Sequence, residues 1–180
     1  MGRKKANRFL QNVSNENVLQ EEKPLFKNIK GNWNQLFFKN TNPIVVEIGC
    51  GKGEYTVGLA RLFPELNFVG LDIKGDRIAV GSKIALQENL TNVGFLRIKA
   101  HDICQFFGEN EVQEIWITFP DPHHLQSGIK RRLTNERFLE EYKKILKPKG
   151  LIHLKTDSED FFDYSVESLK SFGVENLTST

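Results

Sequence analysis

Cysteine is scarce in this chain: Cys50 and Cys104 are the only two in 180 residues. Two thiols make no disulfide framework, which excludes the stapled secreted scaffolds and makes a reducing cytoplasm the expected setting. Long apolar runs are lacking too. None approaches the roughly 18 residues a membrane span requires, so no membrane partner is expected. The basic start, Met1–Arg8, is not followed by the apolar segment of a secretory signal. Metal-ligand spacing is also missing. His101, His123, His124 and His153 with the two cysteines match no zinc pattern, and the adjacent pair His123-His124 points in different directions, so no metal is expected.

Net charge is small as well, +2, but it is unevenly spread. Residues 1–30 carry seven Lys/Arg against three Glu, and residues 130–149 carry eight against three, which leaves a net of −7 for the remainder. Segregation of this kind suits a polyanion docking on one side. Solvated helix faces produce it too, so charge alone does not decide for nucleic acid.

Residues 1–42 are polar and Asn-rich with weak periodicity. They read as a basic, mobile N-terminal arm followed by a helical segment around Trp33–Phe38. Regular alternation begins at Pro43, and residues 43–180 read as one domain. Ile44–Ile48, Phe68–Ile73, Val93–Ile98, Val112–Phe119 and Leu151–Leu154 are short apolar runs of the kind buried parallel strands show. Helical patterns separate them at Glu54–Phe63, Asp76–Glu88 and from Thr134 onward, with a short helical turn at Ile103–Phe107. Thr134 is a candidate cap for the third helix, and Pro148 and Gly150 are expected to end it. A last helix, capped by Asp157 or Ser158, runs to Gly173, and Val174–Leu177 reads as the start of a sixth strand. Successive βα units with short connections imply an α/β fold: a Rossmann-like, doubly wound, mostly parallel sheet. Ligands on such sheets bind beyond the carboxyl ends of the strands, which makes the loops there the expected site.

The first strand runs into Glu47-Ile48-Gly49-Cys50-Gly51-Lys52-Gly53. Gly49, Gly51 and Gly53 let the backbone turn sharply and approach a ligand. The spacing differs from the G-x-G-x-x-G of dinucleotide binders. Glu47 before the loop and Glu54 after it would repel a pyrophosphate but suit a ligand carrying an ammonium and a sulfonium. Asp72 ends the second strand, where a carboxylate can accept both ribose hydroxyls. Asp102, after the third, is a candidate acceptor for an adenine amino group, or equally a helix cap. This pattern points to S-adenosylmethionine as cofactor.

The fourth strand ends Phe119-Pro120-Asp121-Pro122, where two prolines fix φ and remove two donors around Asp121. Lys130-Arg131-Arg132 follows, and the fifth strand ends Lys155-Thr156-Asp157. These four motifs, in this order and at these spacings, resemble the tRNA (guanine-N7-)-methyltransferase family of bacterial type, whose members are class I S-adenosylmethionine-dependent enzymes. The resemblance implies methylation of a guanine in the tRNA variable loop, position 46 in tRNA numbering. It also implies Glu47, Asp72 and Asp121 near the cofactor, with Asp121, Thr156 and Asp157 around the guanine. Lys130, Arg131 and Arg132 are expected to hold tRNA.

Three departures from the family pattern stand out. His123-His124-Leu125 replaces a Trp-Pro-Lys, so a substrate-contacting lysine is missing at Leu125. Lys99 stands where many members have an acid. A C-terminal Thr-x-Tyr-Glu-like segment is lacking, so the domain is read as C-terminally shortened, without its last strand.

Guanine N7 has an in-plane lone pair and no proton to lose, so the chemistry needs alignment more than a base. Asp121 is thus expected to orient the guanine and offset its developing charge. Two other readings remain open: a methyltransferase acting on a small molecule or protein, and a non-catalytic RNA-binding module. Either a monomer or a homodimer fits.

Overall fold

The structure, a computed structural model, describes residues 3–179, and side chains for 7, 8 and 10–179. In chain order the elements are α1 (Arg3–Ser14), β1 (Val18–Leu19), β2 (Ile44–Ile48), α2 (Glu54–Leu62), β3 (Asn67–Asp72), α3 (Gly75–Gln87), β4 (Val93–Arg97), β5 (Val112–Thr118), α4 (Glu136–Ile145), β6 (Leu146–Lys155) and α5 (Glu159–Phe172). Short 3-10 turns lie at Pro24–Lys27, Ala100–Gln105 and Gln126–Arg131, and a π-helical turn at Trp33–Phe38.

The six strands form one sheet in the order β1-β4-β3-β2-β5-β6. Every pairing is parallel. From β2 the chain winds outward through β3 to β4, then crosses back to β5 and β6. The order therefore reverses between β2 and β5, and a crevice opens there at the carboxyl ends of the strands.

Alternation along the strands sorts side chains into two cores. In β2, Ile44, Val46 and Ile48 join Ile115, Ile117, Phe138, Tyr142 and Trp33 on one face. Val45 lies on the other, with Val57, Ile78 and Phe95. Glu47 shares the parity of Val45, which turns a carboxylate toward α2 inside the fold.

The N-terminal region is more ordered than its composition suggests. Residues 3–14 are helical where an arm was expected, and β1 pairs with β4 as a strand not foreseen. Asparagines do the docking. Asn12 Nδ2 donates to Gly75 O at 2.7 Å, Asn15 Nδ2 to Ser82 Oγ at 2.7 Å, and Asn17 Nδ2 to Ser82 O at 3.1 Å. Trp33 is fully buried, stacks on Phe107 with centroids 5.2 Å apart, and donates from Nε1 to Phe106 O at 2.9 Å. An indole buried with its N–H satisfied anchors the whole 29–38 segment to the sheet.

Three local expectations change. Asn135, not Thr134, caps α4, its side chain accepting from Arg137 N. Thr134 is instead buried against Ser165, with hydroxyls 2.8 Å apart. The chain leaves α4 directly into β6, so Pro148 and Gly150 lie within a strand rather than at a helix end. Residues 174–177 form no strand. Ser158 caps α5, and Gly173, at φ 85°, closes it as expected.

Candidate cofactor and substrate site

The glycine loop connects β2 to α2 at the reversal point. Gly49, Gly51 and Gly53 have φ of 77°, 57° and 75°. Only glycine adopts such values without strain. At Gly53 a Cβ would also lie 2.8 Å from the Phe95 ring. The amides of Gly49 and Cys50 both donate to Leu71 O, at 2.8 and 3.0 Å, which ties the loop to the end of β3.

Asp72 completes that tie. Its Oδ2 accepts from Gly51 N at 2.9 Å and its Oδ1 from Lys74 N at 2.8 Å. Each carboxylate oxygen has a second lone pair, so the group still offers acceptors to a diol. Beside it opens a cavity of about 440 Å³, lined by Gly49, Asp72, Ile73, Ile98, Lys99 and Leu133 among others. That volume and its apolar walls around one carboxylate suit a nucleoside-sized ligand.

Glu47 sits differently from the expectation that it faces the cofactor. It is 5% exposed and its oxygens are engaged inside the fold. Oε2 accepts from Thr56 N at 2.8 Å and from Thr56 Oγ1, and Oε1 accepts from Thr118 Oγ1 at 2.5 Å. Burial raises its pKa above the ordinary 4.5, against the lowering effect of these hydrogen bonds. The carboxylate thus fastens β2, α2 and β5 together beneath the loop. Strand parity explains why: Glu47 and Thr118 lie on adjacent paired strands and face α2 together.

Asp102 also differs from the expected placement. It does not line the cavity; its Oδ1 accepts from Gln105 Nε2 at 3.1 Å within the 3-10 turn. Lys99, Ala100 and His101 line the cavity in its place. The rule of carboxyl ends selected the right loop, but its 3-10 geometry presents the preceding residues.

The loop after β5 carries Asp121, which is 74% exposed and accepts from His123 N at 3.0 Å. Two non-glycine residues bracket it in the left-handed region, Phe119 at φ 44° and His123 at φ 45°. Strain of this kind costs about 1–3 kcal/mol per residue and persists only where the surroundings enforce it. Phe119 N donates to Lys155 O at 2.8 Å, which brings the start of this loop beside Thr156 and Asp157. Asp157 is exposed, and Thr156 Oγ1 accepts from Ser158 N at 3.1 Å.

The basic triplet divides. Lys130 and Arg131 are exposed, and Arg131 lines the cavity with Arg137. Arg132, expected on tRNA, is 4% exposed and hydrogen-bonded within the fold. Its Nε donates to Pro122 O at 2.9 Å and its Nη2 to Asp160 Oδ2 at 2.6 Å. Arg137 and His101 were not singled out from the sequence; His101 follows the end of β4, and Arg137 lies in the first turn of α4 within the basic 130–149 segment. Of the N-terminal cations, Arg8 is exposed, while the side chains of Arg3, Lys4 and Lys5 lie outside the described residues. Among the described residues no group of three His, Cys, Asp or Glu could hold a metal ion, and no helix is long and apolar enough to cross a membrane.

Comparison with known proteins bears on family and fold. The family described as "Putative methyltransferase" matches residues 41–180. The tRNA (guanine-N(7)-)-methyltransferase of Christiangramia forsetii is 51% identical over 98% of this chain and 81% of its own length. That of Cytophaga hutchinsonii is 46% identical over 94% and 76%. Among solved structures, the 16S rRNA methyltransferase KamB superposes with a TM-score of 0.60 over 87% of this chain and 79% of its own, at 17% identity, which speaks for the fold alone. In motifs, fold and identity, the chain belongs to the tRNA (guanine-N7-)-methyltransferase family.

Proposed function

We propose that this protein transfers a methyl group from S-adenosylmethionine to N7 of a guanine in the tRNA variable loop, in the cytoplasm. The observation that carries this reading is the juxtaposition at the sheet reversal. A nucleoside-sized cavity ending on Asp72 opens beside a strained loop that presents an exposed Asp121, with Arg131 at the rim. When bound, the cofactor supplies an electrophilic methyl on sulfur. Asp72 would accept from its ribose, and Ile73, Ile98 and Leu133 would flank its base.

Asp121 accepts from the guanine N1–H and exocyclic amine and so fixes the angle at which N7 meets the methyl carbon. Thr156 and Asp157 follow Lys155, whose carbonyl accepts from Phe119 N, and would contribute to the guanine site from the neighbouring loop. Transfer of that methyl to N7 would break the carbon–sulfur bond, leave the positive charge on the purine and require no proton acceptor from the protein. Asp121 offsets that charge as it develops. Alignment of this kind can supply roughly 7–11 kcal/mol of the barrier. Lys130, Arg131 and Arg137 meet phosphates on the flanking strand.

The test is incubation with methyl-labelled cofactor and bulk tRNA, followed by digestion to nucleosides. Label in 7-methylguanosine is expected. Label in a protein or small molecule, or tRNA binding without any transfer, would replace this reading by another.

A further inference from the structure

The guanidinium of Arg132 is buried and tightly engaged beside the site. Its Nε donates to Pro122 O at 2.9 Å, and its Nη2 reaches His123 O at 3.5 Å and Asp160 Oδ2 at 2.6 Å. Its central carbon lies 4.5 Å from the Tyr164 ring centroid and 5.9 Å from that of Phe161. Both carbonyls belong to the strained loop immediately after Asp121, and Asp160, Phe161 and Tyr164 all lie on α5.

We infer that Arg132 is a positioning residue: a clamp that holds the Asp121 loop against α5 in the geometry methyl transfer needs. This rests on the proposed function for its consequence, but not for its structure. Between φ 44° at Phe119 and φ 45° at His123 the loop is in a conformation it would leave if free. One end is held by the Phe119 N–H on Lys155 O at 2.8 Å. The other end is held by Arg132. The planar fork matters here. One guanidinium addresses two carbonyls and a carboxylate while stacking on an aromatic face, which an ammonium has no shape to do.

The experiment compares Arg132→Met, which removes the charge but keeps the buried stem, with Arg132→Lys, which keeps the charge but loses the fork. Steady-state kinetics with tRNA are measured for both, with the salt dependence of tRNA binding and amide exchange across residues 119–131. A clamp predicts that both variants lose kcat by roughly 10–100-fold, since misplacement of about 1 Å suffices for that. It also predicts KM for tRNA near wild type, an unchanged salt slope and faster exchange in the loop. A phosphate contact predicts the opposite pattern: Arg132→Lys rescues, and Arg132→Met flattens the slope by about 0.7–0.9. Either that pattern or wild-type exchange in residues 119–131 overturns the clamp.

Should Arg132→Met fail to fold, Asp160→Asn, at a carboxylate 61% exposed, carries the same comparison. It should raise loop exchange and lower kcat in the same sense, non-additively with Arg132→Lys. If the wild-type protein transfers no methyl to tRNA, the functional reading fails on its own, and loop exchange in the variants still decides the clamp.

Discussion

Replacing Glu47 separates a cofactor ligand from a structural fastener. Three donors converge on this carboxylate: Thr56 N, Thr56 Oγ1 and Thr118 Oγ1. In Glu47→Ala the two hydroxyls can rotate to other acceptors, but the Thr56 amide cannot. An orphaned buried donor costs about 1–3 kcal/mol, and the void left by the side chain adds to it. A total of about 3–5 kcal/mol is expected. For a domain of this size that corresponds to a fall in Tm of roughly 6–20 °C.

Glu47→Gln should behave differently. Its carbonyl can take the Thr56 side, where the amide demands an acceptor. Its NH2 can face Thr118, whose hydroxyl can turn to accept. Three charge-assisted bonds weaken, but the cost of burying a charge disappears, so a change within about 1 kcal/mol is expected near neutral pH.

The pH dependence follows from the raised folded-state pKa. The folded protein holds this proton more tightly than the unfolded chain. The group's contribution is therefore fully present below the ordinary 4.5 and is lost as pH rises through the folded value. Glu47→Gln should remove that slope. Thermal unfolding across pH, with calorimetric titration of S-adenosylmethionine, reads both quantities. If Glu47→Ala lost cofactor affinity tenfold while Tm moved less than about 2 °C, Glu47 would be a ligand and the fastening argument wrong.

Other substitutions probe the remaining parts. Gly81→Ala would place a Cβ 2.5 Å from Lys52 O, so α3 and the glycine loop must separate; weaker cofactor binding in calorimetry is expected, and unchanged affinity would show that the loop tolerates the shift. Asp121→Asn keeps shape but loses charge. Turnover should fall by at least tenfold, about 1.4 kcal/mol, with tRNA affinity nearly intact, and turnover within twofold of wild type would remove Asp121 from the transition state. Replacing Lys130 and Arg131 together with Ala should flatten the plot of log tRNA affinity against log salt by about 0.7–0.9 for each phosphate no longer neutralised. An unchanged slope would mean these charges only solvate the surface.

What the sequence determined by itself is what rests on local spacing and on chain direction. Alternating apolar runs separated by helical patterns require a wound parallel sheet, and its carboxyl ends follow from direction alone. Gly49, Gly51 and Gly53 were legible because a sharp turn through left-handed φ values strongly favours glycine. Asp72, the last residue of β3, and Asp121, in the loop after β5, could be placed at that end of the sheet from chain direction alone. Tertiary structure decided what depends on partners distant in sequence. Nothing in Lys130-Arg131-Arg132 distinguishes its members; the third is buried because α5, some 28 residues on, brings Asp160 and Tyr164 against it. Glu47 reads as a free carboxylate until the pairing of β2 with β5 supplies Thr118. The Asn-rich N-terminus looks unfit to pack until α3 offers Gly75 O and Ser82 as partners. In each case a polar side chain changes from solvated to structural because the fold supplies its hydrogen-bond partners, and local sequence does not encode where those partners come from.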